Sequence, residues 1–336
     1  MNRPSHRIGV FGAGSWGTAL AMLLAGNGHA VSLWTHRPAR AAELARARQN
    51  ARYLPGLKFP ESLSISADPE AICSDNEILL IVVPSHVFRQ TLTTIKPFLQ
   101  ARHKLAWATK GLEPGSRKLL HQQVREELGD NLPTAVISGP TFAREVAQKL
   151  PGAVTVASPD PDFAREMAEA LHNDCFRAYT GSDVVGVEVG GAVKNVMAIA
   201  AGAADGLGFG ANARAALIAR GLAEITRLGV ALGARAETFT GLTGLGDLVL
   251  TCTDDQSRNR RLGLAVGRGR DIRQTMEEIG QVVEGFNTAR EVHALAQSLA
   301  VDMPITEQIC RVLHHGLAPR DAVRALMERA IRDELD

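Results

Sequence analysis

Continuous runs of hydrophobic residues, separated by stretches with helical spacing, dominate roughly the first half of the chain. Runs that are apolar at consecutive positions are typical of parallel strands covered on both faces. The clearest run, residues 78–83, ends at Pro84, which cannot donate a backbone hydrogen bond to a sheet. The predicted strands are residues 8–11, 31–34, 78–83, 105–109, 135–138 and 154–157. This alternation predicts an α/β fold with a doubly wound parallel sheet.

The pattern changes near Gly181, after which runs typical of strands nearly vanish and Ala, Leu, Met and charged residues follow helical spacing. The predicted helices are residues 185–202, 212–228, 274–279 and 288–299. We therefore predict two domains, one over residues 1–180 and an all-helical one over residues 181–336. A ligand is expected beyond the carboxyl ends of the strands, in the cleft between the domains.

Three glycines, Gly12, Gly14 and Gly17, follow the first predicted strand and precede an apolar stretch with helical spacing. This Gly-x-Gly-x-x-Gly spacing between a strand and a helix is typical of dinucleotide-binding sites. The second glycine lets the backbone approach a pyrophosphate, whose charge the helix N-terminus favours. The alternative is a tight turn without a ligand. We interpret residues 1–180 as a Rossmann-type dinucleotide-binding domain.

The end of the second predicted strand bears on the choice of cofactor. Enzymes specific for NAD carry an acidic residue there, which binds the ribose 2′-hydroxyl. Here Trp34 is followed by Thr35, His36 and Arg37, without a carboxylate. Because a guanidinium can pair with a 2′-phosphate, the sequence favours NADP, with NAD also accepted. The alternative is that Arg37 is a solvated surface charge.

Composition and charge exclude several classes of protein. The 336 residues carry a net charge of +1 and 4% aromatic residues, which gives no support for nucleic-acid binding. The four cysteines lack zinc spacing, so we expect no metal and reduced thiols in a cytoplasmic protein. The polar residues 1–7 indicate no signal peptide. Apolar runs are expected to be too short or too interrupted by glycine for integral membrane contact.

One predicted helix, residues 185–204, is almost entirely small and apolar except for Glu188, Lys194 and Asn195. A helix that is apolar all round is usually buried. A buried lysine either pairs with an acid or has a lowered pKa, and in the second case it can transfer protons. The alternative is a structural pair with Glu188 or another carboxylate. Gly190 and Gly191 leave room for a ligand or for closely packed backbone.

Further candidate residues follow predicted strands or glycine-rich turns. Lys110 ends a strand, where parallel sheets bind ligands, or else is an ordinary strand-end charge. A glycine-rich loop ends at Asp247. Residues 257–261, Ser-Arg-Asn-Arg-Arg, suit a phosphate at a helix start, or else form a solvated basic face. Weaker signals are the turn at residues 138–143 and the turn at residues 282–285.

Taken in order, these motifs give the chain a close resemblance to a known family. It resembles bacterial NAD(P)-dependent glycerol-3-phosphate dehydrogenases over nearly its whole length. The segments that carry the resemblance are residues 12–19, 83–85, 109–111, 138–143, 191–195, 243–248, 257–259 and 283–285. The resemblance implies reduction of dihydroxyacetone phosphate to sn-glycerol 3-phosphate, the backbone precursor of phospholipids. It also implies a helical C-terminal domain and a homodimer.

The resemblance also assigns roles to individual residues of this sequence. The implied cofactor contacts beside Gly12, Gly14 and Gly17 are Ser15, Trp16, His36, Arg37, Lys110, Ala143, Arg258, Val282 and Glu284. The implied substrate contacts are Lys110, Gly139, Thr141, Lys194, Asp247, Ser257, Arg258 and Asn259. Thr141 stands where many relatives have serine, and it retains the hydroxyl.

The implied chemistry is carried by Lys194, Lys110 and Asp247. Lys194 is the expected catalytic acid and base, and Lys110 is expected to stabilise charge on the substrate oxygen with it. Asp247 is expected to orient Lys194 or a substrate hydroxyl. Two rival functions are a dehydrogenase for 3-hydroxyacyl or sugar-acid substrates and a non-catalytic NADP-binding sensor. The basic cluster after Asp247 favours a small phosphorylated substrate over the first rival.

Overall fold

The structure, a computed structural model, describes residues 5–331 and residue 333. The chain forms two compact units. The first comprises the chain up to Thr109 together with Leu120–Val184, and the second comprises Lys110–Leu119 and the chain from Val185 onward. The predicted single boundary near residue 180 does not include this segment, because Lys110–Leu119 precedes the boundary and belongs to the second unit. The polar residues 1–4, which we interpret as part of a start without a signal peptide, lie outside the described residues.

The first unit contains an eight-stranded sheet. The strands are β1 (Arg7–Phe11), β2 (Ala30–Trp34), β3 (Leu63–Ser66), β4 (Ile78–Ile81), β5 (Lys104–Trp107), β6 (Thr134–Ser138), β7 (Gly152–Ala157) and β8 (Phe176–Gly181). They lie in the order β3-β2-β1-β4-β5-β6-β7-β8. This order reverses direction at β1 and β4, as in a doubly wound Rossmann-type sheet, and it confirms the predicted fold class.

The sequence pattern predicts a parallel sheet, but one pair of strands is antiparallel. Strands β6 and β7 pair antiparallel, with Val136 opposite Ala157 and Ser138 opposite Thr155, while the other neighbours are parallel. A strand buried on both faces has the same continuous apolar run in either direction, so the pattern cannot reveal this reversal.

Two strands, β3 and β8, are absent from the sequence prediction. Strand β3 is a short Leu-Ser-Ile-Ser segment with only Leu63 fully buried. Strand β8 lies at the sheet edge, where Arg177 and Tyr179 are not buried. Because edge strands are covered less completely than central ones, neither segment has the continuous apolar run that marks a central strand.

Helices fill the connections of the first unit. They are α1 (Ser15–Gly26), α2 (Pro38–Ala47), α3 (Pro69–Asp75), α4 (Phe88–Ile95), α5 (Leu120–Leu128), α6 (Ala143–Ala147) and α7 (Pro161–Leu171). Leu20 and Leu24 of α1 and Phe163 of α7 share one buried cluster with Val10 and Leu80 of the sheet. This packing fixes the start of α1 directly after the carboxyl end of β1.

The described part of the second unit contains helices and no strand, which confirms the predicted all-helical half. The helices are α8 (Val184–Gly206), α9 (Ala211–Ala231), α10 (Asp247–Thr253), α11 (Arg258–Gly267), α12 (Ile272–Ile279), α13 (Glu284–Ser298), α14 (Pro304–His315) and α15 (Pro319–Met327). A π-helical turn over Leu242–Gly246 leads directly into α10. Helix α8 is the core of this unit, and nearly all of its residues are buried.

Helices α8 and α11 contact each other backbone to backbone through glycines. A Cβ on Gly202 would lie 2.2 Å from the Arg260 carbonyl oxygen, and one on Gly263 would lie 2.1 Å from that of Ile199. Gly206 and Gly267, one turn further along each helix, meet the partner backbone at similarly short distances. The pairs have Gly-x-x-x-Gly spacing, which allows this close approach.

Helix α8 is the one helix in the described part of the chain that is long and apolar enough to cross a membrane. The expectation that no apolar run reaches that length is therefore wrong. However, 89% of its most apolar stretch is buried inside the fold, as in the core helix of a soluble protein. Its hydrophobicity is explained by its central position in the second unit.

Candidate functional site

The loop after β1 has the steric features of a dinucleotide-binding turn. Gly12 has a φ of +123°, and a Cβ there would lie 2.2 Å from the Val82 carbonyl oxygen. A Cβ on Gly17 would lie 1.9 Å from the Gly12 carbonyl oxygen. A Cβ on Gly14, by contrast, would meet no atom within 4 Å. Gly12 and Gly17 are thus required by packing, while Gly14 leaves open space at the backbone.

The start of α1 offers donors for a phosphate. The helix begins at Ser15, and no side chain caps its N-terminus. The first N–H groups of a helix lack partners within the helix and favour an anion. The indole Nε1–H of Trp16 is buried and has no partner among the described residues. The open side at Gly14, the uncapped helix start and this indole N–H fit a bound pyrophosphate.

The end of β2 presents positive charge and no carboxylate. His36 and Arg37 are both exposed, and Arg37 Nε donates a hydrogen bond of 3.1 Å to His36 Nε2. Arg37 also occupies the position before the first residue of α2. The guanidinium is therefore held at the strand end, where a 2′-phosphate of NADP would be recognised.

Three more predicted contacts of the first unit follow β6. A Cβ on Gly139 would lie 2.8 Å from the Ala153 carbonyl oxygen, so the backbone passes close to β7 at this point. Thr141 Oγ1 donates a hydrogen bond of 3.4 Å to the Gly139 carbonyl, and Ala143 is the first residue of α6. The buried Ser138 hydroxyl has no partner among the described residues.

The three predicted catalytic residues come together in the second unit. Lys110 Nζ donates to Asp247 Oδ2 at 2.7 Å, and Lys194 Nζ donates a very short hydrogen bond to Asp247 Oδ1. Asp247 is completely buried and Lys194 is 6% exposed. Each carboxylate oxygen thus binds one ammonium. Of the predicted alternatives for the lysine of the apolar helix, Glu188 or another carboxylate, the partner in the structure is Asp247.

Thr251 completes this cluster, although nothing in the sequence pattern singled it out. Its hydroxyl accepts a hydrogen bond of 3.0 Å from Lys194 Nζ and donates one of 2.6 Å to the Asp247 carbonyl oxygen. Asp247 begins α10, so Thr251 lies one turn later on the same helix face. The i, i+4 spacing from Asp247 was the available signal.

Burial and charge determine the protonation of the cluster. Burial lowers the pKa of Lys194 from its usual 10.5 to about 7, and the neighbouring Lys110 acts in the same direction while Asp247 opposes both. Burial would raise the pKa of the Asp247 carboxyl, but Lys110 and Lys194 outweigh this and hold it below its usual value. Asp247 is therefore ionised at neutral pH, while Lys194 can gain or lose a proton.

The predicted phosphate-binding segment lies at the start of α11. Ser257 is the N-cap residue, and its Oγ accepts a hydrogen bond from the Arg260 N–H. Arg258, the first helical residue, is half-buried and donates to Gln281 Oε1 at 3.5 Å. Asn259 donates to Asn195 Oδ1 and accepts from the Gly285 N–H, both at 2.9 Å. Its carboxamide thereby joins three helices and has one further N–H.

Arg260, unlike its neighbours in the predicted phosphate-binding segment, has its guanidinium bound to a carboxylate of the protein. Its Nη1 donates to Asp205 Oδ2 at 2.6 Å, and Arg214 pairs with the same carboxylate at 2.9 Å. Arg260 Nε also lies 3.1 Å from Asp255 Oδ1, as an ion pair without a hydrogen bond. This buried guanidinium therefore holds α11 against the end of α8.

The remaining predicted cofactor contacts, Val282 and Glu284, stand at the start of α13. Val282 is 39% exposed, which is high for a valine, and Glu284 is the first residue of the helix. The Gly285 N–H binds Asn259, so the start of α13 is tied to the start of α11. Among the described residues, no group of His, Cys, Asp and Glu side chains could hold a metal ion.

The chain matches known proteins over almost its entire length. The N-terminal and C-terminal models of NAD-dependent glycerol-3-phosphate dehydrogenase match residues 7–164 and 183–324. Proteins named glycerol-3-phosphate dehydrogenase (NAD(P)+) from Pseudoalteromonas translucida and Aeromonas hydrophila are 54% and 57% identical, covering 99% and 97% of this chain and 100% and 98% of their own.

A solved structure agrees with these matches. The crystal structure of glycerol-3-phosphate dehydrogenase from Coxiella burnetii is 50% identical, with a TM-score of 0.94, and the match covers 97% of this chain and 99% of that one. Sequence and fold therefore agree over both units. The chain belongs to the NAD-dependent glycerol-3-phosphate dehydrogenase family.

Proposed function

We propose that this protein catalyses the reversible reduction of dihydroxyacetone phosphate to sn-glycerol 3-phosphate with NADPH, and with NADH as a second cofactor. The observation that carries the proposal is the buried Lys110–Asp247–Lys194 cluster. A dehydrogenase that reduces a ketone needs a proton donor beside a site of positive charge, and this cluster supplies both. The names of the curated relatives agree with this activity.

The glycine loop and the start of α1 would hold the cofactor. Gly12, Gly14 and Gly17 shape the turn, and the N–H groups around Ser15 and Trp16 would bind the pyrophosphate. When bound, the nicotinamide supplies the hydride for the ketone carbon. The other proposed contacts are His36 and Arg37 for the 2′-phosphate, with Ala143, Lys110, Arg258, Val282 and Glu284.

Lys194 is the proposed proton donor in reduction and acceptor in oxidation. An ammonium group has three N–H donors. Two of them point to Asp247 and Thr251, which leaves the third for the carbonyl oxygen of the substrate. With its pKa lowered to about 7 by burial, the group can give up a proton at neutral pH and regain it.

Lys110 and Asp247 prepare the charge around Lys194. The Lys110 ammonium adds positive charge near the proposed position of the substrate oxygen and would stabilise the negative charge that develops there. Asp247 accepts one hydrogen bond from each lysine and so fixes the position of both Nζ atoms. It remains a carboxylate in this role, because both ammonium groups lower its pKa.

The start of α11 is the proposed anchor for the substrate phosphate. Ser257 has a hydroxyl, Arg258 a guanidinium and Asn259 one further amide N–H at this helix N-terminus. Gly139 and Thr141 of the first unit are proposed to contact the substrate as well. Fixing the phosphate orients the ketone carbon for reaction, which contributes to the rate through proximity.

We also propose a cytoplasmic homodimer that supplies a precursor of glycerophospholipids. The cellular role follows from the proposed product. The dimer and the location follow from the resemblance to bacterial relatives, and the one helix of membrane length among residues 5–331 is buried in the second unit.

The test is NADPH oxidation with dihydroxyacetone phosphate and with unphosphorylated dihydroxyacetone. We expect rapid turnover of the first and a much higher KM for the second, because the start of α11 would lose its anion. Turnover of a 3-hydroxyacyl or sugar-acid substrate in preference to dihydroxyacetone phosphate would contradict the proposed substrate. NADPH binding without any turnover would show a sensor instead of an enzyme.

A further inference from the structure

The segment that carries Lys110 is a compact loop fixed within the second unit. Leu112 and Leu119 are buried in the hydrophobic core of that unit. Between them the Glu113 N–H donates to the Lys118 carbonyl at 3.0 Å, and the Arg117 N–H donates to the Glu113 carbonyl at 2.9 Å. The loop is therefore closed by its own backbone and anchored by two leucines, one close to each end.

The tip of this loop is held by a buried carboxylate of α13. The Gly115 N–H donates a hydrogen bond of 3.1 Å to Glu291 Oε2. Glu291 is only 5% exposed, and its other oxygen lies 3.4 Å from Arg290 Nε. A buried carboxylate is costly unless hydrogen bonds satisfy it, and Glu291 has one hydrogen bond on each oxygen, one of them from the tip of this loop.

We propose that Glu291 is a positioning residue for Lys110: by holding the loop tip at Gly115, it sets the place of the Lys110 ammonium on Asp247. The inference rests on the proposed function, in which Lys110 stabilises the substrate oxygen. It assigns to α13 a part in the reaction beyond the cofactor contact at Glu284.

The position of Glu291 on α13 makes the assignment specific. Glu284 begins the helix, and Glu291 lies two helical turns later on the same face. Gly285 is bonded to Asn259, so the start of α13 is fixed to the proposed phosphate anchor. One rigid helix therefore links the phosphate anchor, a proposed cofactor contact and the loop of Lys110.

Loss of the Glu291 contact has a consequence that can be measured at Lys194. The charged groups that act on Lys194 are Asp247 and Lys110, and the buried Cys252 thiol also lies within electrostatic reach. Lys110 lowers the pKa of Lys194, so a displaced Lys110 lets that pKa rise. In reduction Lys194 must be protonated, and the rate falls above its pKa. In a plot of kcat against pH, the range in which kcat falls with rising pH, here called the falling limb, would therefore move to higher pH.

The experiment compares Glu291→Met, Glu291→Asp and Glu291→Gln in the full-length enzyme. Met keeps the buried volume without an oxygen acceptor, Asp keeps the charge with a shorter reach, and Gln keeps an acceptor oxygen. For Met we expect kcat about tenfold lower and the falling limb about half a pH unit higher. For Glu291→Asp, kcat and the pH of the falling limb should lie between those of Glu291→Met and the unsubstituted enzyme. For Glu291→Gln, both values should be close to those of the unsubstituted enzyme. The KM for NADPH should not change.

Thr306→Val is the control for lost stability alone. Thr306 donates a buried hydrogen bond of 2.9 Å to Glu224 in the same unit, away from the Lys110 loop. This variant should lower Tm and leave both kcat and the pH limb unchanged. An unmoved limb in Glu291→Met, or in Glu291→Asp if Met does not fold, would overturn the inference. Equal kinetic changes in Thr306→Val would overturn it as well.

Failure of the proposed function gives a different result. If Lys194→Ala retains full turnover, the proton donor is misassigned, whatever the Glu291 variants do. If Lys194→Ala is inactive while Glu291→Met keeps a normal kcat and pH limb, the proposed function stands and only the role of Glu291 is removed.

Discussion

The loop after β1 in the first unit and the lysine cluster in the second unit meet their proposed ligands in different ways. The loop uses main-chain atoms around Gly12, Gly14 and Gly17 and has no charged side chain of its own. The cluster uses charged side chains from three separate segments, at Lys110, Lys194 and Asp247. A phosphate group can be bound by oriented N–H groups alone, whereas proton transfer needs a group that titrates.

This difference predicts which kinds of substitution each region tolerates. The loop is limited by space, because one added methyl group would collide with backbone at Gly12 or Gly17. The cluster is limited by charge, because removal of either lysine leaves one Asp247 oxygen without its ammonium, and removal of Asp247 leaves two ammonium groups side by side. Substitutions that alter volume should therefore damage the first region, and substitutions that alter charge should damage the second.

The largest effect is expected from Lys194→Ala. Loss of the proton donor should lower kcat by about 10²–10⁴-fold, the usual range for general acid–base catalysis. NADPH affinity should change little, since the glycine loop is untouched. Steady-state kinetics and a fluorescence titration with NADPH measure the two effects, and the exposed Lys96→Ala is the control. A normal kcat would remove Lys194 from its role.

Alanine substitutions in the glycine loop should separate packing from ligand binding. Gly17→Ala places a methyl group 1.9 Å from the Gly12 carbonyl oxygen, so it should cost about 1–3 kcal/mol of stability and weaken NADPH binding. Gly14→Ala meets no protein atom within 4 Å, so only NADPH affinity should fall. Thermal melts and NADPH titrations distinguish the two cases.

Gly26→Ala is the matched control for Gly14→Ala, because Gly26 ends the helix that Gly14 precedes and an added Cβ there also meets no atom within 4 Å. It should leave NADPH affinity unchanged. Unaltered NADPH binding by Gly14→Ala would contradict the proposed approach of the pyrophosphate at this position.

Arg37→Ala should change the choice between cofactors. A charge-assisted hydrogen bond to the 2′-phosphate contributes about 1.5–3 kcal/mol, so the KM for NADPH should rise roughly 10–100-fold. The KM for NADH, which lacks that phosphate, should stay nearly constant. The exposed Arg46→Ala on the following helix controls for net charge. Equal changes with both cofactors would show that Arg37 does not recognise the phosphate.

The smallest effect concerns a buried carboxylate outside the cluster. Glu224 accepts hydrogen bonds from the Ile305 and Thr306 N–H groups, and burial raises its pKa from 4.5 to about 7. A raised carboxyl pKa favours the protonated folded state, so its stabilising effect is complete below pH 4.5 and is lost as the pH rises through 7.

Glu224→Gln should therefore flatten the pH dependence of stability. Between pH 5 and pH 8 the unsubstituted protein should lose about 1–2 kcal/mol more stability than the variant. Thermal melts at both pH values measure this difference, and Glu278→Gln, on an exposed ion pair, is the control. Parallel curves for Glu224→Gln and the unsubstituted protein would show that Glu224 does not titrate in this range.

The sequence predicts the first region better than the second, because the glycine spacing is local. Residues 12–17 run from the end of β1 into the first turn of α1, and their steric roles follow from that local context. The partner of Lys194 is 53 positions away at Asp247, a distance that only the tertiary fold closes. The apolar pattern of the helix predicts that Lys194 is buried and needs a partner. The family resemblance identifies Asp247 as a site residue. Neither the pattern nor the resemblance predicts the contact with Thr251.

Dependence on tertiary contacts also explains the other differences between the sequence predictions and the structure. Arg260 has the same local context as Arg258 and Asn259, but its guanidinium is bound to Asp205 at the end of α8. The reversed direction of β7 leaves its apolar run unchanged, and edge strand β8 lacks such a run. Patterns along the chain record burial, whereas pairing depends on which segments meet in space.

The burial of α8 has a consequence for synthesis of the chain. The other helices of its hydrophobic core all follow it in the sequence, and the buried residues of that core extend to Ala322. At about 5–20 residues per second, a ribosome needs roughly 5–20 s to add them. During that time this long apolar helix lacks the segments that bury it and is exposed to chaperones, to other nascent chains and to membranes. The order of elements thus makes the second unit dependent on fast completion of its C-terminal half.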